Sequence, residues 1–307
     1  MLTAVQLHER GRALSNAGRH AAARRLLTAA LQRTDDEDLL ARVEGSLAYV
    51  VAELGAPDEA WALCDRALER PGISAHTRGV LSSQRGLMHM RSGHTLDAVR
   101  EFTVALPNLD GDDELVGRLL LNRGNVHLQR GDGRSASADF RSARTAFERS
   151  GLDVLAAKAE HNLGYCHLLL GDLVQALAEM DHAASILAPL SPVSRAVGAQ
   201  DKAEVLIAAG LISAGEKALA EAAHDYGVRR LRQFQGEAEL VLARTQMLSE
   251  PRTSRRVARQ AERRFRGRGM EVWALRARAV ALMAEVRAGA QGPARTSAIR
   301  ATARARS

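Results

Sequence analysis

Small and apolar residues recur along this sequence at a nearly constant interval, and the recurrence predicts paired helices. Six glycines follow apolar segments of helical periodicity, spaced 37, 38, 38, 40 and 39 residues apart: Gly18, Gly55, Gly93, Gly131, Gly171 and Gly210. Seven residues before each is another small residue, in turn Gly11, Ala48, Gly86, Gly124, Gly164 and Ala203. Five residues after the first five is an alanine: Ala23, Ala60, Ala98, Ala136 and Ala176. A repeat of this length predicts one antiparallel helix pair per copy.

The glycines have two predicted roles. Inside a helix a glycine costs about 0.5–1 kcal/mol relative to alanine. Close contact between paired helices is expected to offset that cost at Gly11, Gly86, Gly124 and Gly164. The six glycines that end the first helices are expected to adopt the left-handed conformation. Asp132 and Asp172 follow two of them and are expected to cap the next helix.

The pattern resembles the tetratricopeptide repeat, which has a small residue at position 8, Gly at 15, Ala at 20, a large apolar residue at 24 and Ala at 27. The large apolar residues here are Leu27, Cys64, Phe102, Phe140 and Met180. The resemblance implies an all-α, right-handed α-solenoid of antiparallel helix pairs, with about seven repeats and a C-terminal helix. The aromatic residues usual in this repeat are mostly missing, and the period exceeds the usual length of about 34 residues by one helical turn. We place the added turn at the end of the second helix.

The predicted domains follow from this register. The solenoid covers residues 1–250, with repeats near 4–37, 41–74, 79–112, 117–150, 157–190, 196–229 and a degenerate copy at 231–266. Arg-rich helices at 251–288 continue it and end in a helix with an apolar stripe: Val272, Leu275, Ala279, Leu282, Met283 and Val286. A first helix without a second exposes apolar surface unless it caps the stack, forms a homodimer or meets another domain. Residues 289–307 are predicted to be a disordered basic tail.

Charge is distributed unevenly along the chain. The net charge is +7, yet residues 251–307 contain 15 Arg and 3 Glu, a balance of +12, so the remaining residues sum to −5. Many of these arginines cluster: Arg255, Arg256, Arg259, Arg263, Arg264, Arg266 and Arg268. Such a patch is typical of nucleic-acid binding. No aromatic residues interleave for base stacking, so we favour a solvated face or contact with an acidic neighbour, and keep nucleic-acid contact through residues 252–268 as the alternative.

The motif search predicts a protein that is not an enzyme and uses no cofactor or metal. A Walker loop, a Gly-x-Ser-x-Gly elbow and a His-Glu-x-x-His motif are missing from the sequence. His161, Cys166 and His167 are close in sequence, but their helical spacing does not converge on one metal ion. His167 and His127 hold equivalent repeat positions and are predicted to pack between helices. Two cysteines without a disulfide framework, no signal peptide and no membrane-spanning run predict a cytoplasmic protein without membrane contact.

The predicted binding surface is a groove lined by the first helix of each pair. In this repeat, positions 2, 5, 6, 9, 12 and 13 point toward the groove or its edge. Repeats 1–3 are expected to offer fewer polar groups there, which centres the groove on repeats 4 and 5. The predicted partner-binding residues are Arg118, Asn122, Asn125, Gln129, Lys158, His161, Asn162 and Tyr165, with Gln200, Asp201 and Glu204 from repeat 6. Asparagine amides can donate to and accept from an extended backbone, whereas the alternative is that these side chains only solvate a helix face.

Two segments, residues 121–132 and 160–172, are similar to the helical N-terminal region of bacterial CHAT proteins, which are caspase-like peptidases fused to tetratricopeptide repeats. The resemblance implies a scaffold or sensor region, and no residue here matches a catalytic residue of the peptidase. We therefore expect a bacterial protein that binds a peptide or partner protein in its groove. A transcription or nucleic-acid-associated regulator that uses the Arg-rich end is the alternative.

Overall fold

The computed structural model describes residues 2–291, and all regular elements in that range are helical. The prediction of an all-α stack of helix pairs is confirmed. The fifteen α-helices are α1 Ala4–Asn16, α2 His20–Leu31, α3 Glu37–Glu53, α4 Pro57–Glu69, α5 Ala75–Arg91, α6 Thr95–Ala105, α7 Asp113–Gln129, α8 Gly133–Arg149, α9 Asp153–Leu170, α10 Leu173–Leu187, α11 Pro192–Ala208, α12 Ile212–Val228, α13 Arg232–Gln246, α14 Pro251–Arg266 and α15 Glu271–Gln291, with a short 3-10 helix at Leu106–Leu109.

The helices form two compact units, one up to Ala159 and the other from Glu160 onward. In the N-terminal unit α1 packs on α2, α3 on α4, α5 on α6 and α7 on α8. In the C-terminal unit α11 packs on α12, α13 on α14, and α15 on α14. The boundary falls within α9, whose residues are shared between the two units. Each unit is therefore built from consecutive antiparallel helix pairs.

Glycines inside the first helices lie directly against large side chains of the paired second helix. A Cβ atom added to Gly124 would lie 2.6 Å from the ring of Phe140, and one added to Gly86 would lie 2.7 Å from the ring of Phe102. Gly164 in the C-terminal unit similarly faces Met180, at 2.9 Å. These distances are too short for any side chain, so the missing Cβ is what allows the helices to approach.

The turns between paired helices follow the predicted geometry. All six turn glycines have positive φ, from 71° at Gly18 to 86° at Gly55. Asp132 and Asp172 each accept a hydrogen bond from a backbone N–H three residues on, which caps α8 and α10. Each first helix thus stops at a residue that tolerates the left-handed region, and the next helix starts within a few residues.

The added helical turn lies at the start of the first helix, so its predicted position at the end of the second helix is wrong. Helices α3, α5, α7 and α11 begin at residues 37, 75, 113 and 192, four residues before the predicted repeat starts at 41, 79, 117 and 196. The cause is side-chain capping, because a carboxylate or hydroxyl accepts from the N–H three residues on at each start: Asp36, Ser74, Asp112 and Ser191. The caps satisfy N–H groups that a helix start otherwise leaves unbonded.

Alanines and a few large side chains make the core of each unit. The alanines at Ala23, Ala60, Ala98, Ala136 and Ala176 are fully buried. The largest fully buried side chains are Phe102, Phe140 and Phe147 in the N-terminal unit and Tyr226, Phe265 and Met180 in the C-terminal unit. Small alanine faces bring helix axes close together, and the rings fill the remaining space between them.

The described chain ends within α15. This helix extends to Gln291, beyond the predicted end at 288, so residues 289–291 are helical rather than part of a tail. The rest of the predicted tail, residues 292–307, lies outside the described residues. Among the described helices, none combines the length and the apolar character that a membrane crossing requires.

Candidate binding groove

The first helices of the N-terminal unit, α1, α3, α5 and α7, lie side by side and form a groove of about 530 Å³. We call it the N-terminal groove. Its lining from the first three repeats consists of His8, Glu9, Arg12, Ser15, Asn16, Arg42, Gly45, Ser46, Tyr49, Val80, Leu81 and Gln84. Except for Leu81, these residues hold positions 2, 5, 6, 9, 12 and 13 of the repeat. The lining from the first three repeats therefore follows the predicted groove-facing positions.

The added helical turn supplies the rest of the lining. His76 and Thr77 come from the first turn of α5, and Asp112, Glu114 and Leu115 come from the start of α7. All five precede the predicted first position of their repeats, so the sequence register alone did not identify them. The sequence signal that could have identified these five residues is the capping residue before each helix, Ser74 for α5 and Asp112 for α7.

One wall of the N-terminal groove is basic. His8 is buried, and its Nε2 lies 2.9 Å from the Ser46 hydroxyl. Burial, followed by the positive charges of Arg42 and Arg12, lowers the pKa of His8 to about 4. The imidazole is therefore neutral at pH 7, while both guanidinium groups are exposed. This wall offers two cationic donors and a neutral His–Ser pair.

The opposite end of the groove is acidic. The Asp112 carboxylate lies 4.0 Å from His76 Nε2 and also caps α7. Glu114 forms an ion pair of 2.9 Å with Arg118 one turn further along α7. Arg12 and Arg42 on α1 and α3 outnumber Glu9 on α1, whereas Asp112 and Glu114 belong to α7, so the lining has a net positive charge at the α1–α3 end and a net negative charge at the α7 end.

The structure gives different settings to the predicted partner-binding residues of the N-terminal unit. Arg118 is half exposed and paired with Glu114. Asn122 and Asn125 are half-buried on α7, and Asn125 makes an interaction of its own. Two more are exposed, Gln129 at the end of α7 and Lys158 on α9. None of the five lines the N-terminal groove, which lies on repeats 1–3 and the start of α7.

Repeats 1–3, which were expected to offer fewer polar groups than repeats 4 and 5, supply most of the N-terminal groove. Their first helices contribute His8, Glu9, Arg12, Arg42 and Gln84 to the lining. The groove wall is formed by side chains from several neighbouring helices and from the added turn, so the residues of one helix do not determine it.

The C-terminal unit brings together residues from repeats 5 and 6. His161 Nε2 lies 2.7 Å from Asp201 Oδ2. Burial raises the pKa of Tyr165, and the carboxylates of Glu204 and Asp201 raise it further. Burial also raises the pKa of Glu204, with Asp201 as the second cause. Asn162, nearby on α9, is half-buried and makes an interaction of its own. The predicted residues His161 and Tyr165 therefore adjoin an acidic pair on α11.

The two histidines at equivalent repeat positions have matching surroundings. His127 lies 3.8 Å from both Asp132 and Asp139, and His167 lies 3.9 Å from Asp172 and 3.7 Å from Glu179. Both imidazoles are mostly covered, in agreement with the predicted packing between helices. Cys166 is buried, and burial followed by the charge of Glu179 raises the pKa of its thiol to about 11. Within residues 2–291, no cluster of His, Cys, Asp and Glu has a metal-binding arrangement.

No protein-family model matches the sequence, and a search of curated proteins finds no match. Solved structures do resemble it. A Rap protein complexed with competence and sporulation factor has a TM-score of 0.71 at 11% identity, over 90% of this chain and 80% of that one. A signal transduction ATPase with numerous domains from Pyrococcus horikoshii, which has a tetratricopeptide repeat sensor, has a TM-score of 0.71 at 15% identity.

The ATPase is matched over 90% of this chain, which spans only 44% of the ATPase. A tetratricopeptide repeat protein from Parabacteroides merdae has a TM-score of 0.57 at 16% identity, over 89% of this chain and 98% of that one. At these identities the similarity is evidence of the fold alone. The fold of this chain is that of the tetratricopeptide repeat proteins.

Proposed function

We propose that this chain is a non-enzymatic protein-interaction module that holds an extended segment of a partner protein in the N-terminal groove. The observation that carries the proposal is the difference in net charge along a preformed groove, where Arg12 and Arg42 outnumber Glu9 at one end and Asp112 and Glu114 lie at the other. The Rap protein of similar fold, which was crystallised with competence and sporulation factor, supports an interaction role by analogy.

The lining residues favour a particular order of charged and apolar side chains in the bound segment. Two guanidinium groups favour a carboxylate, since arginine forms charge-assisted and often bidentate hydrogen bonds with carboxylates. Asp112 and Glu114 favour a basic side chain at the other end. Between them, Tyr49 and Val80 offer apolar surface, and the Gln84 amide can bond to an extended backbone. The groove thus suits a segment that reads acidic, apolar and basic in order.

The test is selection of random peptides displayed on phage against the full chain. We expect enriched peptides to contain an acidic residue and a basic residue separated by apolar residues. Arg42→Glu should weaken binding of the selected peptides about 10-fold or more, because a charged hydrogen bond is replaced by repulsion. Arg134→Glu is the matched control, since Arg134 is an exposed arginine on α8 away from the groove lining.

Peptides that bind both variants equally would contradict the proposal. The result would also be negative if the enriched peptides showed no charge preference, since the separated charges would then have no part in recognition. Urea unfolding of both variants checks that neither substitution changes the fold.

The partner-binding residues predicted from sequence lie outside the N-terminal groove and are tested separately in each unit. In the N-terminal unit, Asn122→Ala should weaken a captured peptide, and in the C-terminal unit Asn162→Ala should do the same. Both amides are half-buried on first helices. Unchanged affinity in either variant would remove that residue from the binding surface.

The similarity of residues 121–132 and 160–172 to CHAT proteins supports a more specific role. On this proposal the module is the regulatory part of a CHAT-type peptidase system. A caspase-like peptidase reading frame in or next to the coding region, together with peptidase activity that changes when the groove peptide binds, is the expected result. A genome neighbourhood without such a frame would argue against this role and leave the interaction module itself untouched.

A further inference from the structure

Helices α14 and α15 form a strongly charged surface in the C-terminal unit. A cleft of about 700 Å³ separates the exposed face of α14 from the last described turns of α15. Its lining consists of Arg252, Arg255, Arg256, Arg259 and Arg263 on α14 and Glu285, Ala288 and Gly289 on α15. We call this region, together with the exposed face of α15, the arginine surface.

Most of the positive charge on this surface is uncompensated. Glu285 is the one carboxylate of the lining, and it lies 3.5 Å from Arg255 and 3.4 Å from Arg259. Within the described part of the chain, Arg252, Arg256 and Arg263 have no carboxylate within ion-pair distance. By sequence, residues 292–307 add four arginines and no Asp or Glu. The side chains of this chain that adjoin the cleft therefore do not balance its charge.

Arginines on the flanks of α14 differ from those at the cleft. Arg264 pairs with Glu239 at 2.8 Å, and Arg266 pairs with Glu262 at 2.8 Å. Pairing is thus available to arginines of this helix where α13 or α14 itself supplies an acid. At the cleft, the lining supplies one carboxylate for five arginines, so further acidic groups would have to come from another molecule.

The same surface includes an apolar stripe on α15. The stripe consists of Val272, Leu275, Leu282, Met283 and Val286, which are 49–75% exposed. The opposite side of α15 is also apolar, because Ala274, Ala277, Ala281 and Ala284 are buried in the unit. Leu282 and Arg259 border one smaller cleft, so the stripe adjoins the arginines. A helix that is apolar on both sides is typical of an element packed between two others.

The repeat itself shows what shape fits this surface. α13 is a first helix, and its second helix α14 packs on it. α15 follows α14 as the next first helix and packs on α14 in the same way that α13 packs on α12. In this alternation of helices, the element that would pack next on α15 is a single amphipathic helix.

We infer that the arginine surface binds an acidic amphipathic helix of a partner protein. The apolar side of that helix lies on the α15 stripe, and its Asp and Glu side chains face Arg252, Arg256, Arg259 and Arg263. A second copy of this chain fits less well, since two copies joined through α15 would bring their arginine rows together. A nucleic acid would use the arginines but not the apolar stripe. This inference does not depend on the N-terminal groove.

The experiment uses the full chain and a fluorescent synthetic peptide of roughly 20 residues, about 30 Å long as a helix. The peptide has leucines at helical spacing on one side and glutamates on the other. Fluorescence anisotropy should show binding that weakens as salt is raised. A peptide with the same leucines and with lysines in place of the glutamates should not bind.

Two substitutions and two controls locate the site. Arg256→Glu and Val286→Asp should each weaken binding about tenfold or more. Both positions are exposed, so the fold should persist, and circular dichroism with urea unfolding checks this; Leu275→Ser replaces Val286→Asp if the latter unfolds. Arg134→Glu on α8 and Arg42→Glu in the N-terminal groove should leave binding within about twofold. The Arg42 control separates failure here from failure of the groove proposal.

Four results would overturn the inference. Binding that survives Arg256→Glu and Val286→Asp would place the peptide elsewhere. Equal binding of the lysine peptide would remove the role of charge. A DNA duplex that binds in an Arg256-dependent manner while the acidic peptide does not would identify a nucleic-acid surface. Self-association of the chain that Val286→Asp abolishes, without peptide binding, would identify a second copy as the occupant.

Discussion

The two units contain the same small-residue pattern but differ in what fills the space beside it. In the N-terminal unit Gly86 and Gly124 face the rings of Phe102 and Phe140. In the C-terminal unit Gly164 faces the flexible side chain of Met180 at the corresponding position. A ring is rigid and fixes the distance between helices, whereas methionine adapts to its surroundings. The same small-residue position is therefore faced by a rigid ring in repeats 3 and 4 and by a flexible side chain at Gly164 and at Gly11, which faces Leu27.

The difference is larger at Gly198 on α11. A Cβ atom added there meets only the Ala184 side chain, at 4.0 Å, which is an ordinary contact. Gly198 holds a different repeat position from Gly86 and Gly124, and other glycines of the C-terminal unit are closely packed, since a Cβ atom on Gly236 would lie 3.0 Å from the Phe265 ring. The presence of glycine in a helix does not by itself show close packing; the atoms opposite decide.

The largest expected effect comes from removing the large side chain of each contact. Phe140→Ala should destabilise the chain by about 3–5 kcal/mol, because a fully buried ring leaves a cavity between rigid neighbours. Met180→Ala should cost less, about 2–3 kcal/mol, since the surrounding helices can relax. Urea unfolding followed by circular dichroism measures both. Equal costs would show that the two units are packed with the same tightness.

The next effect concerns His8, the buried histidine of the N-terminal groove. The pKa of His8 is about 4, below its ordinary value, so the unfolded chain binds more protons than the folded chain between pH 4 and about 6.5. Stability should be unaffected by His8 above pH 6.5 and should fall by up to about 3 kcal/mol as the pH drops to 4.

His8→Gln tests this assignment, because glutamine retains a hydrogen-bonding group for Ser46 and does not titrate. The difference in unfolding free energy between the wild type and His8→Gln should change in the pH 4–6.5 window and be flat above it. His224→Gln, at an exposed site on α12, is the matched control and should follow the wild type throughout. A constant difference across the whole range would refute the role of His8.

The smallest effect is a change of opposite sign in the two units. Gly124→Ala should destabilise by about 1–3 kcal/mol, because its new Cβ atom would overlap the Phe140 ring. Gly198→Ala should stabilise by about 0.5–1 kcal/mol, because alanine favours a helix and meets open space. Thermal unfolding of both variants gives the signs. Stabilisation by Gly124→Ala would mean that the ring moves aside easily.

Much of the fold could be predicted from sequence because its causes are local. A glycine such as Gly124 inside a helix requires a close neighbour, and a glycine such as Gly131 at its end requires positive φ. The starts of α3, α5 and α7 differ from the repeat register because Asp36, Ser74 and Asp112, which are visible in the sequence, cap these helices four residues earlier. The repeat register and the capping residue predict different first residues for these helices, and each helix begins where the capping residue predicts.

The candidate site was less predictable because it is made by several helices at once. Arg12 and Arg42 are separated by a whole repeat, and their joint effect on His8 follows only from the packing of α1 beside α3. The ion pair of Arg118 with Glu114 and the contact of His161 with Asp201 likewise depend on side-chain directions. Residue type at a repeat position predicts that a side chain faces the groove, but not which neighbours it meets there.

The early start of α7 separates two properties that are usually linked. Asp112 sets where the helix begins and so how far the groove wall projects, whereas Gly117 and Gly124 further along set how closely α7 meets α8. Shifting such a cap by four residues would raise or lower the wall by about 6 Å and leave the contact of Gly124 with Phe140 in place. Among proteins with this fold, the set of ligands that the groove accepts and the closeness of helix packing can therefore change independently.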